Sequence, residues 1–511
     1  MSDRFGMHAE TATAEARMGA AFARLFAGGI AGKALGLVRE LALAATFGTG
    51  AAAGAFRAAQ TATVVPTHMF TSDTLHAGFI PLCARYLRED PARARALFWS
   101  VLALLGAIGT VVAVLLFAAA PAIAALLVPG FDADRRALTA AMMRIMAAGV
   151  PFYVLASLGV CVEMAQRRYL LASIRASVQN AGIIAGVIAA ALTGNPLLLG
   201  WGFTAWCVLL AILSLHSLAR AGMLALPRGI DWTQARSVLR DFAMLIAPLL
   251  LLPVLQQGAH VVERIIASLI DPRAVPALDY ARAIAETGIA LIAVPLGMAG
   301  LAELGRLDAE RARRQLQRML APLLMVTVPV SLFLALHAQG IVRLVFARGD
   351  FGEPSTAVTS LILTGLAIGF WAHVCAIVLV RSLSAHGRNR EVAIIMALAS
   401  AVHVLVNIIA WRFIGALSLG LAASTFALVL FALATRAVGV GRAALRTLAP
   451  LAVGAVLYLP LGWHLRDDDI AALLVAFATF LAFWALFLAG WWWLRSLKDR
   501  PLRTPAFGRT P

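Results

Sequence analysis

Long runs of apolar residues recur along the whole chain, separated by short polar segments that carry most of its arginines. A helix needs about 20 apolar residues to cross a bilayer, and fourteen runs approach or exceed this length. The runs are continuous rather than alternating, which favours helices over the strands of a β-barrel. They lie at about 19–46, 52–82, 97–119, 137–163, 170–193, 197–218, 241–268, 276–302, 319–338, 356–380, 392–411, 415–435, 447–463 and 469–494.

The composition leads to the same conclusion. Of 511 residues, 61% are hydrophobic and 14% are charged, whereas a soluble globular protein carries roughly 25% charged residues. A water-soluble enzyme, a nucleic-acid-binding protein and a disordered scaffold are therefore disfavoured, and we expect an all-α polytopic membrane protein. The four cysteines lack the paired spacing of disulfides or metal ligands and are typical of small core residues. They are Cys83, Cys161, Cys207 and Cys375.

The net charge of +17 is explained by where the basic residues lie. We number each loop by the span that precedes it. The N-terminal segment, the even-numbered loops and the C-terminal tail hold 28 of the 43 lysines and arginines, and the odd-numbered loops hold 7. Cytoplasmic loops carry the excess of Lys and Arg in membrane proteins. The split therefore predicts a multi-pass membrane protein with both termini in the cytoplasm, and it accounts for the basic charge without nucleic acid.

The remaining eight basic residues fall inside predicted spans, where an ionised group costs at least ~2.5–3.5 kcal/mol at mid-bilayer. Intramembrane charges concentrate in spans 1, 2, 7 and 8, which begin two halves of six spans each. This pattern predicts two pseudo-symmetric six-helix lobes around a central polar cavity, followed by two C-terminal helices. The eight residues are Arg24, Lys33, Arg39, Arg57, Arg144, Arg175, Arg264 and Arg282.

The predicted division of the chain follows from these spans. It gives a cytoplasmic segment (1–18), an N-lobe of spans 1–6 (19–220), a cytoplasmic linker (221–240), a C-lobe of spans 7–12 (241–437), spans 13 and 14 (438–494) and a basic cytoplasmic tail (495–511).

Simpler interpretations apply to several of the intramembrane charges. Arg24 and Arg144 are equally well explained as span-end residues that reach the interface, and Arg57 and Arg175 as interfacial or paired groups. The intramembrane histidines are interpreted as core residues rather than ligands. Depth in the membrane favours a cavity position for three residues, which are Lys33, Arg39 and Arg282.

Cationic side chains in such a cavity favour an anionic, phosphate-bearing substrate, because guanidinium groups bind phosphates in a bidentate manner. The chain contains no HExxH, GxSxG or Walker A pattern, so we expect a transporter without catalytic residues, metal or cofactor. The membrane potential, worth ~2.3 kcal/mol per charge per 100 mV, or an ion gradient would supply the energy. The charges expected to support the cavity are Glu40, Arg57, Asp73, Glu263, Arg264, Asp279 and Glu286.

Several segments resemble the MurJ/MviN family of lipid II flippases, which shares the MOP superfamily with the MATE exporters and the Wzx-type oligosaccharide flippases. The similar segments extend from span 1 to span 12 and agree in order and spacing. They are Gly32–Glu40, Phe47–Gly50, Phe79–Pro81, Val128–Phe131, Gly222–Arg228, Val345–Phe351 and Ser418–Ser424. The resemblance implies fourteen spans, of which the last two frame a groove for a lipid tail.

By the same resemblance, basic residues of spans 1, 2 and 8 line the cavity and engage a pyrophosphate. Lys33 and Arg39 match the two span-1 positions, with Lys33 in place of an arginine, and Glu40 matches the acidic position that follows. Arg282 matches the span-8 arginine. Span 2 departs from the family, because the Pro-Thr-His run at 66–68 replaces a pair of arginines.

The resemblance implies a flippase that moves lipid II, a polyprenyl-pyrophosphate-linked sugar, across the bacterial inner membrane by alternating access for peptidoglycan synthesis. A Wzx-like flippase for an exopolysaccharide or O-antigen precursor is the alternative, which the departure in span 2 favours. A MATE-like antiporter is disfavoured by the positive cavity charge, and an inactive membrane partner of cell-wall synthases is a fourth hypothesis. The expected partners are the glycan lipid, membrane lipids and cell-wall or polysaccharide synthases.

Overall fold

The structure, a computed structural model, describes residues 2–71, 73–225, 232–247, 251–304, 307–465 and 470–498. Within its helices, the side chains of residues 2–24, 73–74, 251–252, 293–304, 309 and 494–498 lie outside this description. Every regular element in the described residues is a helix, as the continuous apolar runs predict.

The first half of the chain forms nine helices that pack into one body, the N-lobe. They are α1 (Ser2–Phe47), α2 (Ala51–Thr71), α3 (Asp73–Glu89), α4 (Pro91–Ala118), α5 (Ala120–Leu127), α6 (Ala133–Ala147), α7 (Val150–Ala165), α8 (Leu170–Thr193) and α9 (Leu198–Arg220). Short polar turns set their boundaries. Asp90 and Asp132 accept hydrogen bonds from the first free amides of α4 and α6, which stabilises a helix start.

Helix α10 (Trp232–Ile246) leads to seven helices that form the C-lobe, and two further helices pack beside α13 and α14. The C-lobe contains α11 (Leu251–Ile270), α12 (Ala274–Leu304), α13 (Ala309–Leu336), α14 (Ala338–Phe346), α15 (Glu353–Ala385), α16 (Asn389–Ile414) and α17 (Leu417–Val438). The last two helices are α18 (Gly441–His464) and α19 (Ile470–Lys498).

Each predicted span coincides with a helix or a helix pair. Nine described helices are individually long and apolar enough to cross a membrane, and α6 with α7 forms a further span that bends by 46°. The bend lies at Gly149 and Pro151, where the proline ring removes a backbone donor. The four spans outside this count correspond to α1, to α2 with α3, to α11 and to α12. These are the spans that carry most of the intramembrane charges, so polarity sets them apart.

The two lobes repeat the same packing scheme. Helix α1 packs against α8 as α11 packs against α16, and α8 packs against α9 as α16 packs against α17. Helices α7 and α9 correspond in the same way to α15 and α17, and α2 with α6 corresponds to α12 with α15. Spans 1 and 2 therefore occupy places equivalent to spans 7 and 8, which brings the charge-bearing helices of both lobes to their common boundary.

Glycines allow close packing between α15 and α17 in the C-lobe. A Cβ atom on Gly420 would lie 2.1 Å from the carbonyl oxygen of Ile362, and one on Gly365 would lie 2.7 Å from that of Leu417. No side chain larger than hydrogen fits at that distance, so the two helices touch through their backbones, as small residues allow in membranes.

Replacing Gly420 with Val should destabilise the C-lobe, because the added methyl groups must separate α15 from α17. We expect a loss of about 1–3 kcal/mol, the usual cost of overpacking a core, measured as a lower thermal midpoint in detergent. Gly490→Val is the matched control, since a Cβ at this exposed position of α19 meets no atom within 4 Å. An equal midpoint for the two variants would contradict the packing argument.

The predicted linker between the lobes contains the start of a helix, α10, that packs against α3 and α4. The Tyr86 hydroxyl donates to Asp241 at 2.6 Å, and the Arg93 guanidinium lies 3.2 Å from the same carboxylate. Phe242 packs edge-on against Phe79. Removal from water, with the Asp241 hydrogen bond, raises the pKa of the Tyr86 hydroxyl and keeps it protonated as a donor. The connection is therefore held to the N-lobe.

Candidate functional site

A buried chain of charges begins on α1. Glu40, only 3% exposed, accepts a hydrogen bond from the Arg39 Nε at 3.1 Å and another from the Arg57 guanidinium on α2. Arg39 also donates to the amide oxygen of Asn180 on α8 at 2.9 Å, and the Asn180 amide nitrogen donates to the Gly32 carbonyl at 2.9 Å. The Glu40 carboxylate therefore pairs with two arginines, and Asn180 of α8 fixes the orientation of one of them, Arg39.

The same chain crosses from the N-lobe to the C-lobe. The Arg57 Nε lies 3.5 Å from the Asp279 carboxylate on α12. Arg264 on α11 binds both Asp279 oxygens, at 3.0 and 3.2 Å, and donates to the Thr61 hydroxyl on α2 at 3.1 Å. We call Arg39, Glu40, Arg57, Asp279 and Arg264 the interlobe network. With three cations and two carboxylates, it holds the lobes together through charge-assisted bonds.

A second ion pair lies within the C-lobe. The Arg282 guanidinium on α12 donates to Glu263 on α11, which is fully buried. His260 Nδ1 lies 3.8 Å from one Glu263 oxygen, and His403 Nε2 on α16 lies 4.0 Å from the other. The neighbouring residues Glu263 and Arg264 thus bind different partners, and Arg282 pairs with α11 rather than with an acidic residue of its own helix.

A cavity of about 740 Å³ opens beside this pair, between α11, α12, α15, α16 and α17. Arg282, Glu286, His260 and His403 form its polar wall, and Arg381 lies at the end of the cavity toward the loop after α15. The remaining wall is mostly apolar and aromatic. A concave, largely apolar site with a few convergent polar groups is typical of a binding pocket, and here those groups include an arginine and a glutamate.

The lobes also touch at the end of the bundle that carries the odd-numbered loops, which we call the odd-loop end. The Asp350 amide donates to the Ala45 carbonyl at 2.9 Å, and the hydroxyls of Thr49 and Ser355 lie 2.8 Å apart. The Tyr280 hydroxyl donates to the Gly48 carbonyl at 2.9 Å. Helix ends from both lobes therefore meet through backbone groups.

Glycines make the odd-loop end tight. Gly48 and Gly349 have positive φ angles of 51° and 59°, which other residues rarely adopt. A Cβ on Gly349 would lie 2.1 Å from the Ala45 oxygen, and one on Gly130 would lie 1.8 Å from the Ser268 oxygen. These glycines belong to three of the segments that carry the family resemblance, so the recurring motifs coincide with the junction between the lobes.

The structure gives the predicted site residues different surroundings. Arg282 and Glu286 line the cavity, and Arg39 is half-buried against Glu40. Lys33 is exposed on α1 and makes no ion pair within the described residues. The side chain of Asp73, the first residue of α3, lies outside the described residues. The other predicted charges are buried at the lobe boundary or beside the cavity, and they are Glu40, Arg57, Glu263, Arg264 and Asp279.

Sequence reasoning missed two polar residues that complete these contacts. Asn180 orients Arg39. His403 faces Glu263, and its Nε2 lies 3.2 Å from the amide nitrogen of Asn407 on the same helix. The signal was present, because Asn180 and Asn407 follow corresponding loops in the two halves of the chain. This correspondence indicates that the two asparagines occupy equivalent positions in the two lobes, but it does not show which charged side chain each asparagine contacts.

Comparison with known proteins agrees with this architecture. The sequence profile described as "Lipid II flippase MurJ" matches residues 43–459. The probable lipid II flippase MurJ of Rhizobium tropici is 24% identical over 392 residues, covering 72% of each chain. That of Thermotoga maritima is 23% identical over 397 residues, covering 76% of this chain and 79% of the relative.

Solved structures share the fold. A lipid II flippase MurJ in an inward closed conformation superposes with a TM-score of 0.78 at 18% identity, covering 93% of this chain and 99% of that chain. An inward-facing MATE-family multidrug resistance transporter gives a TM-score of 0.62 at 15% identity, covering 79% and 94%. Since the family profile spans most of the chain and the two-lobed architecture agrees with it, this multi-pass inner-membrane protein belongs to the lipid II flippase MurJ family.

Proposed function

We propose that this chain moves lipid II, a polyprenyl-pyrophosphate-linked sugar, from the cytoplasmic to the outer leaflet. The observation that carries the proposal is the contrast between the closed odd-loop end of the lobe boundary and the open cavity among the C-lobe helices. The interlobe network and the glycine contacts close the odd-loop end, while Arg282 and Glu286 line a cavity deeper in the bundle. A substrate that carries both phosphate charge and an apolar tail suits this combination.

The pyrophosphate is bound in this mechanism by Lys33, Arg39 and Arg282. Arg282 uses one guanidinium nitrogen for Glu263, and a guanidinium has five N–H donors, so others remain for phosphate oxygens. Lys33 is exposed on α1 and makes no ion pair within the described residues, so its ammonium group is available to a phosphate. Binding would replace the hydration shell of the phosphates by charge-assisted hydrogen bonds.

Transport requires the closed end to open. Separating the lobes there would break the Arg57–Asp279 contact and the Arg264–Thr61 hydrogen bond, together with the backbone contacts of the glycines. With both termini in the cytoplasm, this end faces outward, so the head group would enter from the cytoplasm and leave after the lobes rock. The tail would stay in lipid beside α18 and α19, and the membrane potential or an ion gradient would reset the cycle.

An exopolysaccharide or O-antigen precursor is the second candidate substrate. It rests on the departure in span 2, where His68 stacks on Tyr153 with ring centroids 5.9 Å apart in place of the expected arginines, whereas the relatives found are lipid II flippases. Such precursors share the polyprenyl pyrophosphate and differ in the sugar, so the same cations would serve. Synthases that consume the transported lipid are the protein partners we expect.

Complementation separates these candidates. In a bacterium depleted of its own lipid II flippase, expression of this chain should restore growth and lipid II exposure on the outer leaflet. Arg282→Ala should abolish the rescue, because the cavity loses its guanidinium and Glu263 loses its partner. Arg144→Ala, at an exposed arginine that donates to a backbone carbonyl, is the matched control. Failure of a correctly inserted parent chain would contradict lipid II as substrate.

A further inference from the structure

Among the described membrane arginines, one interior guanidinium has no carboxylate partner within the described residues. Arg39, Arg57, Arg264 and Arg282 each pair with at least one acidic side chain. Arg144 is exposed and donates to a carbonyl. Arg175, on α8, has no ion pair within the described residues.

The surroundings of Arg175 place it inside the N-lobe rather than toward lipid. Its guanidinium donates to the Tyr153 hydroxyl and lies over the Tyr153 ring, 5.3 Å from the centroid. The other neighbours of this ring are His68 on α2 and Trp206 on α9, at centroid distances of 5.9 and 5.6 Å. Arg175 is nevertheless only half-buried. Arg175 is therefore a partly accessible cation beside an aromatic cluster that α2, α7 and α9 contribute.

Helix geometry brings Arg175 to the same side as Lys33. Helices α1 and α8 run in the same direction, because Gly28 and Gly32 lie against Ser173 and Ala176 in that order. One step along a helix turns a side chain by about 100°. When two parallel helices touch through one residue each, the residue that follows the contact on the first helix and the residue that precedes it on the second are therefore rotated to the same side of the pair. Lys33 follows Gly32 and Arg175 precedes Ala176, so both cations flank one face of the pair.

We propose that Arg175 is a further substrate-contact residue, whose guanidinium binds the pyrophosphate together with Lys33; this rests on the proposed function. Three buried carboxylates of the lobe boundary bind other arginines: Glu40 and Asp279 in the interlobe network, and Glu263 with Arg282. Two cations without ion pairs match a pyrophosphate diester, which carries two negative charges. The Tyr153 hydroxyl accepts from one guanidinium nitrogen of Arg175, which leaves the other donors for phosphate oxygens.

This role explains how the chain functions without arginines at 66–68. His68 comes from that segment and reaches the same aromatic ring as Arg175. The guanidinium that the family resemblance expects from span 2 is supplied by span 5, and the imidazole that remains in span 2 supports it through Tyr153.

Equilibrium binding of radiolabelled lipid II to the full chain in nanodiscs tests the proposal. Arg175→Gln and Arg175→Met should weaken binding at least tenfold, as expected for the loss of a charge-assisted contact. Arg144→Gln, the matched control, should bind within twofold of the parent. Excess inorganic pyrophosphate should displace lipid II from the parent at a lower concentration than from the Arg175 variants. A purely structural role of Arg175 would not produce this difference in sensitivity to pyrophosphate.

The outcomes separate the two proposals. If the parent binds lipid II and a folded Arg175 variant binds it equally well with the same sensitivity to pyrophosphate, Arg175 is not a contact residue. If the parent itself binds no lipid II, the proposed substrate is wrong and the Arg175 assignment falls with it. Two neutral variants are used because a methionine suits an apolar interior better than an amide, so misfolding of one still leaves the other as a test.

Discussion

Replacing Asp279 with Ala should destabilise the protein by about 3–5 kcal/mol and abolish transport. Within the part of the chain that the structure describes, Asp279 is the only acidic partner of Arg264, whose side chain is 9% exposed, and it also lies 3.5 Å from Arg57. Without it, three arginines of the interlobe network share the single carboxylate of Glu40. Breaking a buried ion pair by removing one member usually costs this much, because a buried charge is left uncompensated.

A double substitution distinguishes charge imbalance from lost packing. Adding Arg264→Leu to Asp279→Ala removes the uncompensated cation, so the double variant should be more stable than Asp279→Ala alone. Thermal midpoints in detergent would measure this coupling, which double-mutant cycles isolate. Glu310→Ala, which breaks the solvent-exposed pair with Arg313, is the control and should leave the midpoint unchanged. A double variant less stable than the single variant would contradict the charge explanation.

Replacing Gly130 with Ala should prevent closure of the odd-loop end and reduce transport at least tenfold. The added Cβ would lie 1.8 Å from the Ser268 carbonyl oxygen of the opposite lobe, and a backbone atom cannot move aside as a flexible side chain can. Each lobe should still fold, since the clash arises between lobes. The equilibrium therefore shifts toward states in which this end is open.

A disulfide reports the closed state directly. The Thr49 and Ser355 hydroxyls lie 2.8 Å apart, so cysteines at both positions should cross-link readily in the parent. In the Gly130→Ala background the cross-link should form at least tenfold more slowly. Gly106→Ala is the matched control, because a Cβ at that position of α4 meets no atom within 4 Å. Equal cross-linking in all three backgrounds would refute the argument for Gly130.

Much of the fold could be predicted because its causes are local. An apolar run long enough to cross the bilayer must satisfy its backbone within one helix, so the spans could be read without knowing their neighbours. The bend between α6 and α7 was less evident, since Gly149 and Pro151 lie within a run that reads as continuous. Helix α10, which begins within the predicted linker, also went unpredicted, because its stability depends on Phe79 and Tyr86 of the N-lobe.

The site was only partly predictable. Intramembrane position alone identified Lys33, Arg39 and Arg282 as candidates, and all three remain in the proposed mechanism. Position did not separate the buried Arg57 of the interlobe network from the cavity residues, because both kinds of arginine interrupt an apolar span. Nor did it reveal that Arg175 has no acidic partner, since pairing depends on residues far away in the chain.

The sequence by itself determined where the apolar helices lie and the concentration of charge in the helices that begin each half, and its arginine placement predicts the direction of each crossing. Hydrophobic length and arginine placement act on each span separately. Only the tertiary structure decided which charges neutralise each other and which glycines join the lobes. Arg264 meets Thr61 across 203 positions, and Tyr280 meets Gly48 across 232. Contacts at such separations arise when two lobes pack, and an unpaired cation becomes recognisable only once its neighbours are known.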